Sequence, residues 1–349
     1  MEVTLTPQVA IPVSEASQAG EARRVATRMA EAIGFDEQAR GEVAIVVTEL
    51  ATNLARHARD GRLRIQALDL PAGRTMEILS IDAGPGMSDV QRCLQDGYST
   101  AGTPGNGLGA VRRLSSVFDV HSTPGSGTVI LSRLRRPSSA GASRPAMASA
   151  SGGYEYAAVS IPAPREQVCG DAWRIAERDG DCAVLVVDGL GHGPLAAEAA
   201  TQAVAAFDAA PFEEPPVLID RMHRALSGTR GAALAVARID AAGVHYTGIG
   251  NISGVLAGGE RSRGLASQNG TVGLQLRKVQ TFDYDWPSRG MLVMHSDGIS
   301  SRWRLDTYPG LAQRHPAIVA GVLWRDFGRG RDDATIVVVC RPQAGAAHD

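Results

Sequence analysis

Four short acidic turns stand out in the second half of this chain. Cys169-Gly170-Asp171, Asp188-Gly189-Leu190-Gly191-His192-Gly193 and Ser296-Asp297-Gly298 follow or lie between apolar runs, and Asp332-Asp333-Ala334-Thr335 directly precedes one. Carboxylates at strand ends can converge in space although far apart in sequence. Hard divalent cations such as Mg²⁺ or Mn²⁺ take an oxygen-only donor set of this kind. Two such ions held close together clamp and activate a water for in-line attack on phosphorus. A single Asp-Gly pair is usually just a turn. VLVVDGLGHG carries more information, because an apolar strand runs straight into an acid and three glycines and then a helix. The order GD, DGxGHG, SDG, DDxT is more specific still. Arg165 precedes Asp171 at a loose spacing and reads as a solvated surface residue.

The first half carries three further features. Glu49, Asn53 and His57 recur every four residues on one face of an expected helix. A carboxylate and an amide one turn apart suit a general base beside a metal ligand, although the same spacing also describes a solvated stripe. Ile81-Asp82-Ala83-Gly84-Pro85-Gly86-Met87 ends a strand on an acid followed by glycines, where the acid can accept a hydrogen bond from an adenine amino group. Gly105-Asn106-Gly107-Leu108-Gly109 opens a helix. Glycines there let backbone N–H groups approach phosphates, and the helix N-terminus favours an anion.

These residues need a scaffold, and the rest of the sequence supplies one. The stretch from Arg135 to Gly153 is rich in Ser, Ala, Gly and Pro, has no apolar period and reads as a flexible linker. The expected organisation is a domain over 1–134, a linker over 135–152, a second domain over 153–342 and a tail over 343–349. In the first domain, alternation at Val3 and Leu5 and at Val9, Ile11 and Val13 suggests strands. Ser14 is placed to cap a helix to about Ile33, and Asp36 one to about Ala58. Strands around Leu63–Ala67 and Met76–Ser80, a helix over Leu108–Phe118, and a strand pair around Val120 and Val129–Leu134 complete a two-layer α/β sandwich. The second domain reads as many consecutive strands in antiparallel pairing with two helices, Leu195 to about Phe207 and Val217 to about Ser227. The 349 residues carry 35 basic and 37 acidic side chains, 44% hydrophobic residues and four scattered cysteines without a CxxC pair. That balance points away from nucleic acid and anionic membranes as general partners. No apolar run of about 18 residues and no signal-peptide pattern occur, so a cytoplasmic protein with reduced thiols is expected.

The ordered acidic set resembles the PPM-type serine/threonine phosphatases of the SpoIIE branch, especially the small feedback phosphatases of stressosome pathways. The resemblance implies an αββα sandwich holding two Mn²⁺ or Mg²⁺ ions between its sheets. Asp188 would bridge both metals, with the Gly189 carbonyl as a further ligand. Asp297 and Asp332 would hold the second metal, and Asp171 would act through metal-bound water. Asp333 is the less favoured member of its pair. His192 lies four residues after Asp188 and does not match the His that follows the Asp-Gly directly in animal members, so it receives no general-acid role.

The three N-terminal features in this order resemble the GHKL ATPase superfamily, with its Bergerat-type ATP site. The similarity is to the serine-kinase branch of anti-sigma factors and stressosome switch kinases. Gln95-Asp96-Gly97-Tyr98-Ser99-Thr100 looks like the switch-kinase version. On that resemblance Asn53 would ligate Mg²⁺, and Glu49 would prepare the attacking serine hydroxyl. Asp82, Gly84 and Gly86 would hold the adenine of ATP, with Thr128 supporting it through water. Gly105, Gly107 and Gly109 would cradle the phosphates, and the stretch between Met87 and Pro104 would be a short lid. The implied partner is a phosphorylatable protein, either a STAS-domain antagonist or a stressosome scaffold. Two readings follow. One is a bifunctional switch that phosphorylates and dephosphorylates. The other is a nucleotide-dependent anti-sigma-type binding module fused to an active phosphatase.

Overall fold

The computed structural model describes residues 8–70, 73–95, 107–136, 153–258, 262–287 and 290–341. They fall into two compact units. One gathers the described residues of Val3–Ala146 together with Gln313–Arg325, and the other gathers those of Met147–Ala312 and Asp326–Asp349. Val3 and Leu5, most of the linker and the tail lie outside the described residues. Among the described residues no helix is long and apolar enough to cross a membrane.

The first unit runs β1 (Val9–Pro12), α1 (Ala16–Ala32), α2 (Glu37–His57), β2 (Arg62–Leu70), β3 (Gly73–Asp82), α3 (Val90–Cys93), α4 (Gly107–Leu114), β4 (Val117–Thr123) and β5 (Gly127–Arg135). Its five strands form an antiparallel sheet in the order β1-β2-β3-β5-β4. Helix α1 begins one residue later than expected. Glu15 is the cap, and Gln18 reaches back to accept from the Ser14 and Glu15 amides at 2.6 and 3.1 Å. Asp36 caps α2 as its position suggests, accepting from the Ala39 amide at 2.8 Å. Ala22, Ala26 and Ala30 of α1 and Val43, Val46, Val47, Leu50 and Leu54 of α2 are buried against Ile65, Met76 and Ile78 of the sheet. The small alanine face lets α1 lie close, and each fully buried Val or Leu contributes roughly 1.5–3 kcal/mol. The helix expected to reach Phe118 stops at Leu114. Ser115 Oγ turns back onto the Val111 carbonyl (2.7 Å), the Ser116 amide pairs with the Arg133 carbonyl (2.7 Å), and Val117 and Phe118 enter β4.

The second half of the chain supplies β6 (Glu155–Ile161), β7 (Asp171–Arg178), β8 (Asp181–Gly189), α5 (Pro194–Asp208), α6 (Pro215–Ala225), β9 (Ala232–Ile239), β10 (Val244–Ile249), β11 (Ser253–Ala257), β12 (Arg263–Leu265), β13 (Ser267–Gln268), β14 (Phe282–Tyr284), β15 (Met291–His295), α7 (Pro316–Phe327) and β16 (Ala334–Cys340). One sheet has the order β13-β10-β9-β8-β7 with β14 on β10, and the other β12-β11-β15-β16-β6. All pairings are antiparallel except β10 with β13. Ala183, Leu185 and Val187 of β8 pack under α5 and α6. Val184 and Val186, pointing the other way, are equally buried. A strand covered on both faces explains why VLVV is an unbroken apolar run.

Helix α7 was not legible as a helix. Pro316 to Leu323 are all buried, so the segment lacks the amphipathic period that marks a surface helix. By its contacts most of α7 belongs to the first unit, on the sheet face opposite α1 and α2. There Leu79, Ile81 and Val129 are buried, and a side chain at Gly321 would press into Val129 and Leu79 at 2.9 and 3.1 Å. Glycine at this point brings the helix backbone onto the sheet. Asp119 holds the start of the segment, accepting from the His315 amide at 2.8 Å and from Arg314 at 3.1 Å.

Candidate active sites

In the second unit the register of the sheet brings the acidic turns together. Asp171 opens β7 directly opposite Asp188 at the end of β8, so both carboxylates leave the same face. The Gly189 amide bonds the Gly170 carbonyl at 3.1 Å, and a Cβ on Gly189 would collide with the Ala196 carbonyl. This position therefore accepts glycine alone. After β15, the Ser296-Asp297-Gly298 turn locks onto the start of β16. The Ser296 amide donates to the Thr335 carbonyl (3.0 Å) and the Thr335 amide to Ser296 Oγ (3.0 Å). Ser296 Oγ in turn donates to Asp171 at 2.6 Å. Asp333 is buried and accepts from the Ala163 amide at 2.7 Å, whereas Asp332 is exposed.

The charges interact. Burial, and then the neighbouring Asp297 and Asp332 carboxylates, push Asp188 up to about 7. Burial, and then Asp188, hold Asp171 well above the usual carboxylate range. Among the described residues no three acidic, His or Cys side chains close into a metal cage. Instead the Asn251 amide lies between the turns, donating to Asp297 at 2.8 Å and to Asp188 at 3.4 Å. The set suits Mg²⁺ or Mn²⁺: every donor is oxygen, and the clustered like charges that raise Asp188 are those a divalent cation would neutralise.

Sequence reasoning missed Asn251 and Ser296. The signal for Asn251 was a Gly-Asn turn at the end of β10, but its partners lie 63 and 46 positions away. His192 pairs with Glu166 at 2.6 Å on the surface. Arg165 is exposed and adopts a left-handed φ of 74°.

The first unit assembles its own set. Glu49 and Asn53 are half-buried on α2, while His57 is exposed. The Glu49 carboxylate touches the space in front of Gly107, where α4 begins. Asp82 ends β3 opposite Thr128 of β5 and accepts from the Gly84 amide at 2.7 Å. Burial raises its pKa above the ordinary carboxylate value. The Asp82–Met87 loop is clamped on two sides. Gly84 packs against the His57 carbonyl at the end of α2, and Gly86, at a left-handed φ of 69°, faces the Thr123 carbonyl. Ser122 joins the loop to the sheet, accepting from the Met87 amide (2.8 Å) and bonding Thr128 (2.8 Å). Arg325, in the segment carrying α7, donates to the Asp82 carbonyl at 3.2 Å. Gly109 is buried in α4. Gly105 and most of the expected lid lie outside the described residues.

The fold and these two sites define a chain in which an ATPase-type α/β domain precedes a PP2C-like sandwich. The family described as Histidine kinase-like ATPase domain matches residues 12–133, and the family described as Stage II sporulation protein E (SpoIIE) matches residues 178–342. The serine/threonine-protein kinase RsbT of Bacillus subtilis (strain 168) is 32% identical over 109 residues, which are 31% of this chain and 82% of RsbT. Through its N-terminal domain the chain belongs to the RsbT serine/threonine kinase family, here fused to a SpoIIE-type phosphatase domain. A solved structure titled "The bacterial stressosome: a modular system that has been adapted to control secondary messenger signaling" is 26% identical. It superposes with a TM-score of 0.51, covering 54% of this chain and all of that one. RsbX in complex with magnesium is 20% identical with a TM-score of 0.46, covering 54% of this chain and 96% of that one.

Proposed function

We propose that this chain works both directions of a reversible protein switch, transferring phosphate from ATP to a serine or threonine of a partner and hydrolysing it again. The observation that carries this reading is the presence in one chain of two separate sets, each gathered around its own carboxylate. Glu49 abuts the start of α4, and Asp188 stands at the centre of the acidic turns.

In the domain over 1–134, Glu49 takes the proton of the attacking hydroxyl, and Asn53 holds the Mg²⁺ that accompanies ATP. Asp82 accepts from the adenine amino group, Gly84 and Gly86 bring the backbone close to the ring, and Thr128 supports that end. Gly105, Gly107 and Gly109 offer backbone N–H groups to the phosphates. In the domain over 153–342, Asp188, the Gly189 carbonyl, Asp297 and Asp332 would hold two Mn²⁺ or Mg²⁺ ions, and Asp171 would complete the set. Bound there, the ions supply charge neutralisation at phosphorus and a nucleophilic water at neutral pH. Ser296 orients Asp171, and Asn251 keeps Asp188 and Asp297 in register. Ala163 takes one oxygen of the buried Asp333, and the exposed Asp332, whose charge raises Asp188, is the ligand we propose from the pair.

The partner we propose is a STAS-domain antagonist or stressosome scaffold in the cytoplasm. RsbT and the stressosome relative support it. The test is transfer from labelled ATP to a purified STAS-domain protein, followed by Mn²⁺-dependent release. Label that appears and is then lost is the expected result. Stable binding without label would leave a nucleotide-dependent binding module instead of a kinase.

A further inference from the structure

Next to the acidic turns, on the side of Asn251, the second unit carries a groove of about 760 Å³. Its walls come from β11, β12, β13 and the segment after β15. Asn251 is part of its lining, and its amide donates to both Asp188 and Asp297. A phosphoester held through divalent ions at those carboxylates would have this groove beside it.

The walls are neutral. Ser253 and Ser301 bond each other at 3.1 Å, and Ser267 donates to the Ile252 carbonyl at 2.9 Å. The charged residues among the described lining are Arg304 and Asp306, and they pair with each other at 2.6 Å. Their side chains are 72% and 59% exposed and already paired, so a charged side chain among the uncharged walls would give up water for a contact that solvent weakens. One wall is β12, an edge strand of its sheet among the described strands, pairing with β11 on one side only. Edge strands accept an extended segment as a further strand.

We propose that this groove receives, in extended form, the uncharged residues flanking the phosphoserine of a protein substrate. The inference rests on the phosphoprotein phosphatase reading and adds to it a sequence preference. Gly264 provides the probe. It lines the groove, has an ordinary backbone conformation, and a Cβ placed on it meets nothing within 4 Å. Gly264→Trp should therefore fold normally while filling the groove.

The experiment uses the full-length protein with Mn²⁺ and two fluorescein-labelled nonapeptides in which a non-hydrolysable phosphonate replaces the phosphate of phosphoserine. One has Ala, Gly and Ser flanks, and the other has Asp flanks. Binding is read by anisotropy, with a melting curve as the check on folding. The unsubstituted protein should bind the neutral peptide at least tenfold more tightly than the acidic one. Gly264→Trp should weaken the neutral peptide at least tenfold with an unchanged melting temperature. Equal affinity for the two peptides, or a well-folded Gly264→Trp protein that binds the neutral peptide as before, would overturn the proposal. Hydrolysis of p-nitrophenyl phosphate is followed separately. Its failure in the unsubstituted protein would count against the phosphatase reading, while the peptide affinities still decide the groove.

Discussion

Replacing Asp188 with Asn should make the protein inactive as a phosphatase and, without metal, more stable. Burial and the like charges of Asp297 and Asp332 raise Asp188 from the ordinary 3.8 to about 7. At 1.36 kcal/mol per pKa unit, ionising it in the fold costs at most about 4 kcal/mol. The folded state binds the extra proton, so the stability that Asp188 contributes without metal falls as pH rises from about 4 through about 7, then levels off. Asparagine keeps the shape and removes that slope. For a domain of this size about 1 kcal/mol moves the melting temperature by roughly 2–4 °C. At pH 8 in EDTA, Asp188→Asn should therefore melt several degrees above the parent, and the gap should close near pH 4. Saturating Mn²⁺ at a hundred times its Kd stabilises the parent by about 2.7 kcal/mol, and the variant should gain far less. Differential scanning fluorimetry of the full-length protein, with and without Mn²⁺, measures all of this on the metal-responsive transition. An Asp188→Asn variant no more stable than its parent at pH 8, or one that keeps the full Mn²⁺ gain, would refute the reasoning.

Three further outcomes follow from the geometry. Asn251→Ala, by freeing Asp188 and Asp297 from their shared donor, should weaken Mn²⁺ binding or turnover by roughly 10–100-fold, measured by metal titration of p-nitrophenyl phosphate hydrolysis. Glu49→Gln should lower single-turnover phosphoryl transfer by roughly 10²–10⁴-fold, because its carboxylate sits at the start of α4 beside the glycines proposed to hold the phosphates. Gly86→Ala should destabilise the N-terminal unit by about 1 kcal/mol or more, because φ is 69° and the added Cβ meets the Thr123 carbonyl. Urea unfolding followed by circular dichroism checks it.

Much of the scaffold could be read from residue pattern. Strands β9, β10 and β15 begin and end where their apolar runs do, and the Asp36 cap marks the start of α2. Three kinds of feature resisted. Helix α7 is apolar on all sides, so it has no period to read. Val117 and Phe118 continue the helical spacing of α4, yet the pairing of Ser116 with Arg133 draws them into β4. Tertiary pairing overrode local preference there. At the acidic site, the aspartates were visible because each stands at the end of a strand. Asn251 and Ser296 were not, because their meaning depends on partners brought close only by the sheets.

The place of α7 has a practical and evolutionary consequence. It is encoded downstream of most of the phosphatase residues, yet covers the back of the N-terminal sheet through Leu79, Ile81 and Val129. A gene truncated at the serine- and alanine-rich linker would strip that cover and leave an apolar sheet face open to water, a surface prone to aggregation. The kinase half is thus not a bead that can be cut from its string. Shuffling that moved either half to another chain would have to carry this helix along, or find a substitute for it.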